Sequence, residues 1–156
     1  MEDATLKYLV CYADTDAGGI VYHGRFLEMV ERARNRVMYS AGLSFGHLAD
    51  EYGIMLIVHR AEAVYYAPAE LEDHLELKSR LTACQASRSI WVTDVRRENM
   101  LLARVTIEMV ALDITSRQLA RHPDAVIQKL MPYVETTGGR PRISVDNKPI
   151  IPAPAD

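Results

Sequence analysis

One long amphipathic segment, followed almost entirely by strand-like segments, restricts this chain more than any other feature. From about Gly24 to Ala41, Phe26, Val30, Ala33, Val37 and Ala41 recur at steps of four, three, four and four. That spacing draws a single apolar stripe along a helix of 3.6 residues per turn. Glu28, Glu31, Arg32, Arg34, Asn35 and Arg36 fill most of the opposite surface. Gly42 is a natural stop, because glycine tolerates the left-handed conformation at a helix end. Ser44 is placed to cap a second, short helix ending at Gly53.

The remainder reads mainly as strands. A first strand is expected over Leu6–Tyr12, before the turn-prone segment from Asp14 to Gly19. Ile54–Tyr66 is apolar enough for a long strand and stops before Pro68. His74–Thr82 alternates, with Leu75, Leu77 and Leu81 on one side, and Ile90–Arg97 follows. Ala103, Val105, Ile107, Met109 and Ala111 alternate with polar residues, and Asn99 falls in the hairpin turn before them. Pro123 opens a closing helix with Val126, Ile127 and Leu130 inward. A strand, one long helix and four successive strands do not make a doubly wound sheet. The order predicts an α+β fold in which a largely antiparallel sheet buries one face against a single helix.

Composition narrows the function classes. The 156 residues suit one domain. A net charge of −3 without long runs of one sign argues against binding a nucleic-acid backbone. No stretch of about 18 apolar residues is present, so no membrane span is expected. Residues Met1 to Lys7 carry two acids and lack the basic start and apolar core of a secretion signal. The two cysteines, Cys11 and Cys84, have no metal or redox spacing, and two reduced thiols in the cytoplasm are expected. Four of the seven prolines follow Gly139, so residues 138–156 read as an irregular tail.

Residues 14 to 25 concentrate the chemistry: two carboxylates, a glycine pair and a histidine lead straight into the long helix. Free amides at a helix start stabilise developing negative charge. A carboxylate held nearby activates water or attacks a carbonyl. Acyl transfer needs both parts, a base or nucleophile and an oxyanion site. The alternative is plain: Asp14 and Asp16 form an Asx-type turn, and the glycines supply backbone freedom. Asp14-x-Asp16 with Gly19 also imitates the start of a calcium loop. Arg25 stands where such a loop needs a bidentate glutamate, which excludes it.

The run Asp14-Thr-Asp-Ala-Gly-Gly-Ile-Val-Tyr-His23, with Glu31-Arg-Ala-Arg34 on the helix, resembles the signature of the 4-hydroxybenzoyl-CoA thioesterase family. It is most similar to the branch of Tol-Pal-associated acyl-CoA thioesterases. Val64-Tyr-Tyr-Ala-Pro-Ala69, with Leu71 and Asp73, matches the same family's central strand and turn. The likeness spans roughly residues 5 to 133. It implies a hotdog fold over residues 1–137, an antiparallel sheet wrapped around one long central helix. It implies homo-oligomers, either dimers or dimers of dimers (homotetramers), with active sites at subunit interfaces. It also implies an acyl-CoA substrate; no cofactor or metal beyond that substrate is expected, because the sequence offers no cysteine–histidine ligand set and no phosphate-cradling Gly-rich loop. Asp16 takes the catalytic role, as nucleophile or as base for water, and His23 joins it. The oxyanion and substrate-binding positions map to Gly18, Gly19, His23 and Gly24. A tyrosine replaces His23 in the hydroxybenzoyl enzymes, so an aliphatic acyl group is expected here.

Other candidates carry competing readings. His23 either orients water or simply caps the chain at the helix entry. His47, His59, His74 and His122 show no metal-ligand spacing. Glu28 and Glu31 pair more naturally with neighbouring arginines than with a substrate. Trp91, Tyr65 and Tyr66 read as packing residues, with an acyl tunnel or a subunit contact as further roles. Arg88, after a turn at Ala86-Ser87, is a candidate contact for a coenzyme A phosphate. Two rival functions share the scaffold: a non-catalytic acyl-CoA sensor, and a hydrolase acting on acyl-carrier protein.

Overall fold

The computed structural model describes residues 4–135. The expected tail at 138–156, and the last two residues of the expected 1–137 domain, lie outside that range. The elements run β1 (Leu6–Leu9), α1 (Arg25–Ser40), α2 (Phe45–Tyr52), β2 (Ile54–Tyr65), β3 (His74–Cys84), β4 (Arg88–Arg97), β5 (Met100–Asp113) and α3 (Asp124–Leu130). Short 3-10 turns occupy Tyr12–Asp14 and Met131–Tyr133.

The five strands form one antiparallel sheet in the order β1-β3-β4-β5-β2. Consecutive strands β3, β4 and β5 are neighbours because short hairpins join them. β2 instead pairs with β5, and β1 with β3, so the two earliest strands form opposite edges. Bulges between Val58 and Arg60, Leu81 and Ala83, and Val95 and Arg96 interrupt the ladders. Each inserts an extra residue and sharpens the local twist, which helps the sheet curl.

The helix α1 lies against the face that the curl encloses. Its Phe26, Met29, Val30, Ala33, Val37 and Met38 are buried. They share one core with Leu75, Leu77, Leu81, Trp91, Val95, Ala103, Val105 and Ile107 of the sheet. Burying each large side chain is worth roughly 1.5–3 kcal/mol relative to exposure. On the sheet side of this layer, Thr93 donates to Ser79 at 3.0 Å and the Trp91 indole to Ser89 at 3.2 Å, whereas the Nε of the buried Arg34 on α1 has no hydrogen-bond partner among the described residues. The other sheet face carries charge, where Asp94 accepts from Arg104 at 2.6 Å and from Arg80 at 3.0 Å.

The helix signals act where the sequence places them. Gly42 adopts φ +70°, and Gly53 φ +63°. The Ser44 hydroxyl accepts from the His47 amide at 3.1 Å. In the closing helix Val126 and Leu130 are buried, while Ile127 is only half-buried. The first strand is shorter than expected and ends at Leu9. The reason lies in the segment that follows, where Asp14 draws the backbone into a turn. Asn99 lies in the β4–β5 hairpin turn as expected, and its neighbour Glu98 takes the left-handed conformation at φ 52°.

Candidate active site

The segment between β1 and α1 is tied down by Asp14. Its carboxylate accepts the Cys11 amide at 2.9 Å, the Tyr8 hydroxyl at 2.8 Å, and Arg25 Nη2 and Nε at 2.8 and 3.2 Å. Tyr8 belongs to β1 and Arg25 opens α1, so one side chain joins strand, turn and helix. Arg25 reaches onward to Glu28, one turn along. Asp14 is 1% exposed. Burial alone would push its carboxyl up. The Cys11 amide, Arg25 and Tyr8 outweigh that and hold it below the ordinary aspartate value.

Asp16 is different. It is exposed, and one carboxylate oxygen accepts the Gly18 amide at 2.8 Å. Its carbonyl accepts the Gly19 amide at 3.0 Å, and its own amide donates to Ile20 at 2.9 Å. The result is an Asx-type turn closed by Gly19 at φ +75°. The second carboxylate oxygen of Asp16 has no hydrogen-bond partner among the described residues. Gly18 and Gly19, expected as oxyanion donors, have both amides engaged inside this turn. Their visible part is to shape it: a Cβ on Gly18 would stand 3.0 Å from the Asp16 carboxylate.

After the turn, Ile20 bridges to Glu70, and the Val21 amide donates to Ala69 at 2.8 Å. The Tyr22 amide returns to the Asp14 carbonyl at 2.9 Å. The chain then enters α1 at Gly24. The Arg25 amide is used by Tyr22, and the Leu27 amide by Gly24. Among the described residues, the amides of His23 and Gly24 have no backbone acceptor. Both residues directly precede Arg25, the first residue of α1. A Cβ on Gly24 would fall 2.7 Å from the ring of the exposed Tyr22, which would have to shift to admit it.

His23 borders an open cleft of about 450 Å³, lined also by Ile20, Val21, Phe26, Tyr65, Tyr66, Ala67, Pro68 and Ala69. The fold thus brings His23 and the helix start onto the wall of an apolar cleft. Asp16 sits on the adjoining turn, outside that wall. Tyr65 does more than pack: its hydroxyl donates to the His23 carbonyl at 2.9 Å, and its ring meets Phe26 edge-on at 5.4 Å. The sequence shows Tyr65 only as an aromatic residue at the end of a strand. Nothing local announces a bond to a residue 42 positions earlier.

Arg88 is elsewhere. It faces Val110 on β5, whereas Tyr65 faces Ala103, so seven residues of strand separate them. At about 3.4 Å per residue that is on the order of 24 Å. Its guanidinium is bound to the buried Glu108 at 2.5 Å. Within one chain, Arg88 and the cleft do not meet. Cys11 and Cys84 are both free thiols, and burial pushes the Cys84 thiol up. No helix among the described residues is long and apolar enough to cross a membrane.

A curled antiparallel sheet closed around one long helix, with a polar turn at the start of that helix, is the hotdog fold. The family model of the thioesterase-like superfamily matches residues 10–130. The acyl-CoA thioester hydrolase YbgC of Escherichia coli is 31% identical over 119 residues, which cover 76% of this chain and 88% of that protein. The 1,4-dihydroxy-2-naphthoyl-CoA hydrolase of Synechocystis is 28% identical over 121 residues, covering 76% and 88%. The crystal structure of a 1,4-dihydroxy-2-naphthoyl-CoA thioesterase from Synechocystis superposes with a TM-score of 0.74 at 26% identity, over 81% of this chain and 93% of that one. The chain belongs to the thioesterase-like superfamily and is an enzyme of that class, as the motif around Asp16 implies.

Proposed function

We propose that the protein hydrolyses acyl-CoA thioesters to a carboxylic acid and free coenzyme A. The observation that carries this reading is the pairing of two unengaged amides at the start of α1 with a carboxylate, Asp16, on the turn leading into that helix. The thioester carbonyl lies at His23 and Gly24, whose amides polarise its oxygen. Asp16 then acts in one of two balanced ways. As base it takes a proton from water while the hydroxide adds to the carbonyl carbon, and the C–S bond breaks to release the thiol. As nucleophile it forms a mixed anhydride with loss of the thiol, and water cleaves that anhydride. Either route consumes only the thioester and water. His23, exposed on the cleft wall, positions water or the thioester.

The apolar lining from Ile20, Val21, Phe26 and Pro68 suits a hydrocarbon acyl group. An aliphatic chain is the preferred reading, on the presence of His23 where hydroxybenzoyl enzymes carry tyrosine. The relatives that act on naphthoyl-CoA make aromatic thioesters the necessary comparison. The protein acts as a homo-oligomer in this reading. The strand β2 is a twelve-residue sheet edge with Val58, Val64 and Tyr65 exposed, and an edge of that length needs covering. The test is thiol release across acetyl, medium-chain, long-chain and aromatic CoA thioesters, for the wild type and Asp16→Asn. Thiol release that depends on Asp16 supports the proposal. Tight acyl-CoA binding without thiol release replaces it with a sensor. In single turnover in ¹⁸O water, label in Asp16 supports the nucleophile route; label in the acid alone arises from the base route or from water attack on the acyl carbon of the anhydride, and trapping the anhydride with hydroxylamine separates these two.

A further inference from the structure

We propose that Tyr65 is a positioning residue for turnover: by holding the His23 carbonyl, it orients and polarises the Gly24 amide for the thioester oxygen. The inference rests on the hydrolase reading and deepens it.

The His23 carbonyl and the Gly24 amide belong to one planar peptide unit, and in a trans peptide they point in opposite directions. Whatever fixes the carbonyl therefore aims the N–H. The Tyr65 hydroxyl donates to that carbonyl at 2.9 Å. Burial, together with Tyr22, raises the Tyr65 phenol, so it remains a proton donor across the neutral range. The restraint matters because this peptide precedes a glycine, whose backbone rotates more freely than that of any other residue. A hydrogen bond to the carbonyl also polarises the peptide and strengthens the opposite N–H as a donor, by about 10–30%. Tyr65 is itself held at two points. Its backbone ends β2, opposite Ala103, and its ring lies edge-on against Phe26 at 5.4 Å. A rigid sheet thus sets the direction of a peptide at the mouth of the helix.

Tyr65→Phe separates this role from packing, since the ring stays and only the hydroxyl leaves. Deleting an oxyanion donor outright costs about 10²- to 10³-fold in kcat. Misaiming a donor that remains present costs less, and a fall in kcat of roughly tenfold is expected. KM for the acyl-CoA and the melting temperature stay near wild-type values. The Gly24 amide resonance shifts more than those of the rest of α1. Tyr65→Ala, which also removes the ring, should lower the melting temperature in addition. Unchanged kcat in Tyr65→Phe overturns the proposal, and so does an unchanged Gly24 resonance. A rise in KM alone overturns it as well, making Tyr65 a substrate contact. A wild type that releases no thiol, where Asp16→Asn is equally silent, overturns the hydrolase reading and this role with it. Active wild type with fully active Tyr65→Phe overturns the Tyr65 role alone.

Discussion

Replacing Asp14 by asparagine tests the part of the motif that ties strand, turn and helix together. Asparagine keeps the shape but loses the charge and one acceptor oxygen. In the native protein one oxygen receives the Cys11 amide and the other receives Tyr8 and Arg25, all within a pocket where Asp14 is 1% exposed. Hydrogen bonds to a charged group contribute about 1.5–3 kcal/mol each. Asparagine can retain one of the two from Tyr8 and Cys11, while its own amide hydrogens then confront a donor. The expected loss is about 2–4 kcal/mol, at the lower side of what breaking a buried charge interaction costs. For a domain of this size that corresponds to roughly 6–12 °C in melting temperature. The folded carboxyl titrates below its unfolded value, because the Cys11 amide, Arg25 and Tyr8 outweigh burial. Its stabilisation is therefore complete above the unfolded value, about 3.9, and is lost as pH falls through the folded value. Thermal melts from pH 3 to 8 should show the full gap between wild type and variant near neutrality and a closing gap below about pH 4. A gap under 1 °C at pH 7, or one that ignores pH, refutes the assignment of Asp14 as the tie between strand, turn and helix.

The other expectations concern the remaining charged groups and the sheet edge. Asp16→Asn should lose about 10²- to 10⁴-fold in thiol release with its melting temperature nearly unchanged, since Asp16 is exposed and the turn survives; retained turnover defeats the mechanism. Arg88→Gln leaves the buried Glu108 without its cation and should lower stability by about 1–3 kcal/mol in denaturant titration, discounted because Arg88 is 26% exposed. A large rise in KM for acyl-CoA with unchanged stability would instead make Arg88 a substrate contact reaching a cleft in another copy. Val64→Lys places a charge on the exposed edge strand β2 and should shift sedimentation toward monomer, with loss of activity in parallel. A monomeric wild type at micromolar concentration with full activity would count against the oligomer.

What the amino-acid order determined by itself was local. Steps of three and four from Phe26 to Ala41 specify a helix with one buried stripe whatever the rest of the chain does. Gly42, Ser44 and Gly53 act within one turn of their own position, and each does so here. The run from Asp14 to Gly19 reads as a turn before a helix, and the motif points to its class of chemistry. Tertiary structure decided the rest. Two aspartates two residues apart look alike in the sequence, yet only Asp14 is buried, because Tyr8 from a strand and Arg25 from a helix converge on it. Arg88 becomes the partner of Glu108 only once β4 and β5 pair in register. Tyr65 reaches His23 only because β2 is carried across the sheet to lie beside β5, with its last residue at the start of α1. Helix stripes and caps depend on neighbours within about four positions, which the chain connects directly. Strand order and register depend on which distant surfaces bury each other, and the positions of the reacting groups follow from that choice.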